Sequence, residues 1–120
     1  MSDSQHIERI IREYFAAMTA VSEQPLELSA GIELSGPMLP EPLHGFEAVT
    51  EHLQQIAPFI TQTEILEIVI DRNSAAVRVL IHTINGACVE TANFFRIYQG
   101  QISRVRSLFD TRKLLQGGSA

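Results

Sequence analysis

Apolar residues recur every three or four positions near the start of the chain and every second position through its second half. Ile7, Ile10, Ile11, Tyr14, Phe15 and Met18 form one stripe, with Arg9, Arg12 and Glu13 off it. That spacing predicts an amphipathic helix. Asp3 or Ser4 is placed to cap it, with Glu8 near the first turn, and the helix is expected to stop between Ser22 and Pro25. "LELSA" is weakly patterned, and "GIELS" predicts a short strand. Pro37, Pro40 and Pro42 remove amide donors from "GPMLPEPLHG", so an ordered loop is expected there. After Gly45, the spacing of Phe46, Val49, Leu53 and Ile56 predicts the buried face of a second helix that ends near Pro58.

From Gln62 the period falls to two. Strands are expected over Gln62 to Ile70, Ala75 to Ile84, Ala87 to Tyr98 and Gln101 to Asp110, joined through "DRNS", "NG" and "QG". "QGGSA" reads as a frayed tail. With no repeat or linker, residues 1–120 read as one α+β domain, helices lying on one face of a curved antiparallel sheet of about four long strands.

Register decides what the strands present. Two-residue turns at Asn85-Gly86 and Gln99-Gly100 would place Asn93 on the same face as Arg78 and Arg106. Three-residue loops, each with a left-handed glycine, shift both pairings by one. Arg78, Arg96, Arg104 and Arg106 then share a face. Burying unpaired arginines would cost roughly several kcal/mol each, and a glycine bulge costs little. The three-residue loops are therefore expected. They send Val77, Val79, Ile81, Val89, Thr91 and Asn93 toward the helices, together with Phe95, Ile97, Ser103, Val105, Ser107 and Phe109. An apolar wall with a few small polar groups is how ligand pockets are composed. The same pattern is open to a plainer reading, in which Asn93 satisfies a buried backbone group. The outer face carries Arg78, Leu80, His82, Glu90, Phe94, Arg96, Arg104 and Arg106, a mixture suited to a homodimer interface.

Composition narrows the function. Nine basic and fourteen acidic residues give a formal net charge of −5, which argues against a nucleic-acid binder with a basic stripe. No apolar run has the length of a membrane span, and the first ten residues lack a basic segment followed by a hydrophobic one. The single cysteine, Cys88, forms no internal disulfide, fits a cytoplasmic protein, and reads as a small buried hydrophobe. The four histidines have no metal-ligand spacing, and no phosphate-cradling glycine loop is present. No metal or organic cofactor is expected.

"IIREYFAAM", "LPEPLHGFEAV", "NFFRIYQGQI" and "VRSLFD", in that order and spacing, resemble the nuclear-transport-factor-like superfamily, which includes ketosteroid isomerases, limonene epoxide hydrolases and polyketide cyclases (SnoaL-like domains). The resemblance covers almost the whole chain and implies a cone-shaped cystatin-like roll. Ketosteroid isomerases pair a helix tyrosine with a strand carboxylic acid as an oxyanion hole. Tyr14 matches the first and Asn93 the second. An amide can donate at any ordinary pH, whereas the acid needs a strongly raised pKa to stay protonated. The isomerases' aspartate base is matched by Gly36, which moves no proton, and nearby Glu33 faces away from Ile32 and Leu34. The epoxide hydrolases' second aspartate is matched by Ser107, and Asp110 lies on the other face.

The resemblance leaves three functions open. One is an isomerase or cyclase that polarises a carbonyl through Tyr14 and Asn93, with His44 at the pocket mouth as base and His52 on the helix surface. Another is a non-catalytic binder of a small hydrophobic ligand bearing a carbonyl or hydroxyl. The third is a dimeric interaction scaffold. Phe15, Met18 and Met38 from the helix and loop are the expected ligand contacts. Val77, Val79, Ile81, Thr91, Phe95, Ser107 and Phe109 are those from the sheet.

Overall fold

A computed structural model describes residues 3–19 and 26–116. α1 (Asp3–Ala17) leads to β1 (Leu28–Ser35), β2 (Leu43–His44) and α2 (Phe46–Ile56). A 3-10 turn at Ala57–Phe59 opens the meander of β3 (Ile60–Asp71), β4 (Ser74–Thr83), β5 (Cys88–Tyr98) and β6 (Gln101–Leu108), followed by α3 (Thr111–Gln116). The fold is α+β, as the change of period implies.

α1 buries Ile7, Ile10, Ile11, Tyr14 and Phe15 as the stripe predicts. It ends at Ala17, earlier than expected, and Met18 and Thr19 form a turn whose amides bond to Phe15 O and Ala16 O. Asp3 and Ser4 lie inside the helix. The expected stop between Ser22 and Pro25, and most of the tail "QGGSA", lie outside the described residues. In α2, Val49 and Leu53 are buried as expected, but Phe46 in the first turn is exposed. Gly45 precedes α2 with φ near +98°, a conformation open to glycine. Its N–H bonds to Ile32 O at 2.7 Å, tying the helix start to β1.

The sheet corrects the sequence reading. It has six strands in the order β2-β1-β6-β5-β4-β3 and is mixed. β1 runs parallel to β6, pairing Glu33 with Arg104 and Ser35 with Arg106. "GIELS" is thus part of a full strand, which the chain reaches through a long connection of the kind parallel neighbours require. Register shifts in β1, in β3 and at the β5–β6 pair curve the open sheet, since each bulge bends its strand.

The predicted faces are those observed. Asn93 pairs with Val77 and Ser107, while Arg78 pairs with Ala92 on the outer side. The β4–β5 loop leaves three residues between paired Thr83 and Ala87, with Gly86 at φ +85°. The β5–β6 turn differs. Tyr98 pairs directly with Gln101 across a two-residue turn, Gln99 and Gly100, both at positive φ. The one-residue shift comes instead from a bulge that leaves Ser103 between the Arg96–Arg104 and Ile97–Ile102 pairs. Ser103 therefore does not join the inner wall, and its hydroxyl donates to Arg96 O at 3.0 Å. Cys88 is exposed rather than buried, because it starts β5 on the outer face opposite His82.

Candidate functional site

Two halves of the inner sheet face behave differently. Toward the β5–β6 turn, Phe95, Ile97, Ile102 and Val105 pack tightly beneath α1. Toward the β4–β5 loop the helices and sheet diverge around a cavity of about 410 Å³. That volume falls within the roughly 300–1,000 Å³ of small-molecule sites. The lining is mostly apolar, with Tyr14, His52, Thr91, Asn93 and Ser107 among its polar side chains.

Tyr14 is 1% exposed. Its ring meets Phe15 and Phe95 edge-on, with centroids 5.2 and 5.4 Å away. This geometry suits aromatic quadrupoles and fixes the direction of the phenol. The Tyr14 hydroxyl is buried and has no hydrogen-bond partner among the described residues. A buried hydroxyl that the protein leaves unpaired costs stability unless something else supplies its partner. Burial pushes the Tyr14 phenol well above its ordinary pKa, so it remains a protonated donor. Thr50 Oγ1 is the other unpartnered buried side-chain atom among the described residues, but Thr50 does not line the cavity.

Asn93 is 2% exposed and lines the same cavity as Tyr14. Its hydrogen bonds run across the strands. The Ser107 hydroxyl donates to Asn93 Oδ1 at 2.7 Å. Asn93 Nδ2 donates to Thr91 Oγ1 at 2.9 Å and more weakly to Val77 O at 3.3 Å. The Thr91 hydroxyl in turn donates to Val79 O at 2.9 Å. The expectation of two free donors is therefore corrected. Both amide hydrogens of Asn93 have acceptors, because neighbouring inner-face positions hold a hydroxyl and a strand carbonyl within reach. Tyr14 keeps the unpaired hydrogen.

The expected ligand contacts divide between cavity and core. Met18, Met38, Ile81, Thr91, Ser107 and Phe109 line the cavity. Phe15, Val77, Val79 and Phe95 do not. They are buried in the tightly packed core, where α1 presses onto the sheet. Leu34, Leu39, Leu53 and Val89 are among the wall residues the sequence reading had not named as contacts.

The histidines reverse their expected roles. His44 is exposed on β2, paired with Glu33, and does not line the cavity, because the short β1–β2 ladder holds it at the sheet edge. His52 does line the cavity and is half-buried. Burial lowers its pKa from the ordinary imidazole value. The signal was present in the sequence: position 52 follows Val49 by three and precedes Ile56 by four, so it shares their helix face.

Gly36 also lines the cavity. A Cβ placed there would meet Ser107 O and Ser107 Cβ at 3.5 and 3.6 Å, which is ordinary contact. A Cβ would therefore fit at Gly36 without displacing its neighbours. Among the described residues no group of three His, Cys, Asp or Glu side chains could hold a metal ion, and no helix is long and apolar enough to cross a membrane. On the outer face an open hollow of about 500 Å³ lies among Phe94, Arg96, Arg104, Arg106 and Leu108.

A family model, DUF4904, described as a domain of unknown function, matches residues 2–120. The chain belongs to the DUF4904 family. No curated protein matches it. Its fold is shared with solved structures of low identity. A de novo designed protein with a curved β-sheet is 22% identical at a TM-score of 0.81, over 97% of this chain and 95% of that one. A proposed ketosteroid isomerase from Kribbella flavida is 18% identical at 0.77, over 88% and 78%. A protein of ketosteroid isomerase-like fold from Catenulispora acidiphila, solved with trimethylamine, is 15% identical at 0.78, over 91% of each. The DUF4904 chain thus has the nuclear-transport-factor-like fold. At these identities the likeness extends to the fold alone, and the site must be argued from its own residues.

Proposed function

We propose that the cavity binds a small, largely apolar molecule through one carbonyl or hydroxyl oxygen, which accepts a hydrogen bond from Tyr14. One observation carries this reading: a fully buried phenol, clamped by two aromatic rings, lines an apolar cavity with its hydroxyl unpaired. A ligand acceptor would satisfy that donor, while Met18, Ile81 and Phe109 enclose the apolar body. The Ser107–Asn93–Thr91 chain stiffens the opposite wall. Asn93 could turn a hydrogen toward a ligand only by giving up one of its present acceptors.

A second reading, a carbonyl-polarising isomerase or cyclase, is favoured by a specific observation: His52 supplies an ionisable group in the wall that also contains Tyr14. The solved relative described as a proposed ketosteroid isomerase is consistent with it at the level of fold. Gly36 removes the aspartate that such isomerases use as base.

The test is a titration of hydrophobic ketones and phenols, followed by thermal shift, against the wild type and Tyr14→Phe. Several compounds should stabilise the wild type and bind the variant more weakly. Absence of any binder, or equal binding by both proteins, would remove the reading.

A further inference from the structure

We propose that the ligand of the cavity is an apolar alcohol or phenol, whose oxygen accepts from Tyr14 and whose hydrogen is donated to Ser107 Oγ. The inference rests on the binding reading above and narrows it from any oxygen-bearing molecule to one that also donates.

Two strand carbonyls fix the direction of every hydrogen bond in the sheet wall, because a carbonyl has no hydrogen to give. Val79 O lies 2.9 Å from Thr91 Oγ1, so the single Thr91 hydroxyl hydrogen goes there. Thr91 Oγ1 is then an acceptor toward the Asn93 amide, 2.9 Å away. The same amide atom lies 3.3 Å from Val77 O. An oxygen in that place would face two acceptors, so the atom is Nδ2 and both of its hydrogens are committed. Oδ1 therefore turns to Ser107 and takes its one hydroxyl hydrogen at 2.7 Å.

The three side chains keep lone pairs and no hydrogens. Ser107 Oγ accepts no bond among the described residues, and Asn93 Oδ1 accepts one of the two it can. Ser107 is the better placed toward a ligand, since it is half-buried in the cavity lining while Asn93 is 2% exposed. A Cβ at Gly36 would sit 3.6 Å from Ser107 Cβ, so glycine keeps that flank of Ser107 open. Tyr14 is the converse, with a hydrogen and no acceptor for it among the described residues. Its ring packs edge-on against Phe95. Phe95 shares the inner face of β5 with Asn93, two residues or about 6.6 Å along the strand, and Asn93 pairs with Ser107. A donor and an acceptor thus open on one cavity.

A hydroxyl answers both. A ketone or ether oxygen satisfies Tyr14 but brings only further lone pairs to Ser107, which could donate to it only by releasing Asn93 Oδ1. An oxyanion would meet the same lone pairs, so this wall suits a neutral hydroxyl better than a negative charge. The remaining polar side chains of the lining do not alter the preference. The Thr83 hydroxyl donates to Asn85 Oδ1 and accepts from Ala87 N. Ser35 and His52 are half-buried, and each can donate or accept.

The experiment is calorimetric titration of a matched pair on one skeleton, 2-tetralol and 2-tetralone, with 2-naphthol as the phenol. It uses the wild type, Ser107→Ala and Ser107→Cys; the cysteine keeps the shape of serine but is a poor acceptor. One hydrogen bond made or lost changes Kd by roughly 2- to 13-fold. The wild type should therefore bind 2-tetralol about 5-fold tighter than 2-tetralone, and both Ser107 variants should bring the pair within about twofold. Equal or tighter binding of the ketone by the wild type overturns the inference and leaves the binding reading standing. So does a preference for the alcohol that survives unchanged in both variants. No binding of the alcohol, the phenol or any ketone overturns both.

Discussion

Changing Tyr14 to phenylalanine removes one oxygen and nothing else from the centre of the account. The hydroxyl is buried and has no partner among the described residues, so in the free protein it is a liability of about 1–3 kcal/mol. The void left behind is smaller than a methyl group and costs less than about 1 kcal/mol. The ring stays clamped between Phe15 and Phe95. The net expectation is a gain of roughly 1–2 kcal/mol for the free variant. Unfolding entropy near 2.1 cal/mol/K per residue makes each kcal/mol worth about 4 °C in a chain of this length, so Tm should rise by ~4–8 °C. Ligand binding should move the other way. A ligand oxygen then enters the cavity without a donor, at a cost of about 1–3 kcal/mol, or a Kd roughly 5- to 150-fold weaker. Calorimetric melting of the free proteins and titration of the same ketones give both numbers. A variant that melts well below the wild type would refute the reasoning, because the hydroxyl must then have a partner, such as an ordered water. A stability gain coupled to lost affinity is the signature expected of a residue kept for function.

Other expectations follow from the same geometry. Folding holds the Tyr14 phenol above the ordinary tyrosine value of 10.0, so its ionisation leaves folding stability untouched below that value and erodes it as pH rises past it. Alkaline unfolding followed by absorbance should show the Tyr14 phenolate forming only as the chain unfolds, and Tyr14→Phe should flatten the loss of Tm above about pH 10. His52 has the opposite sign. Its lowered pKa means stability is present above the ordinary imidazole value of 6.5 and lost as pH falls below it, so His52→Gln should flatten the acid side of a Tm profile. Asn93→Leu breaks the link from Ser107 to Thr91 and should cost about 1–3 kcal/mol in chemical denaturation. The cost is bounded because Thr91 keeps its bond to Val79 O. Gly36→Asp should fold with a cooperative melt, since its Cβ meets only ordinary contacts with Ser107. The outer face, with Phe94 and Leu108 each 45% exposed beside Arg96, Arg104 and Arg106, is proposed as a contact between two copies. Phe94→Glu should shift sedimentation from dimer to monomer.

The face of each strand could be read from the sequence because misplacing Arg78, Arg96, Arg104 and Arg106 would be costly. The exact turn could not. A three-residue loop at Gln99-Gly100 and a two-residue turn followed by a bulge at Ser103 give the same parity from Arg104 onward. Both satisfy the arginines, and only geometry separates them. β1 was read short because nothing local signals a parallel partner some 70 residues away in β6. Tyr14 and Asn93 were found through the resemblance, and the inner-face pattern placed Asn93 in the right layer. The pattern could not show which hydrogens were already bonded, because that depends on Thr91 and Val77 approaching the amide in three dimensions. His52 was overlooked although it shares the apolar face of α2. A histidine at the edge of such a stripe faces solvent or cavity according to what lies across from it, and that wall is built from β1, the proline-rich loop and the sheet.

The most direct measurement is the carbonyl carbon resonance of a ¹³C-labelled hydrophobic ketone, such as 2-tetralone, bound to the wild type and to Tyr14→Phe. A downfield shift on binding that disappears in the variant is the predicted result. A bound ketone whose resonance is the same in both proteins would contradict the claim that the Tyr14 hydroxyl receives the ligand oxygen.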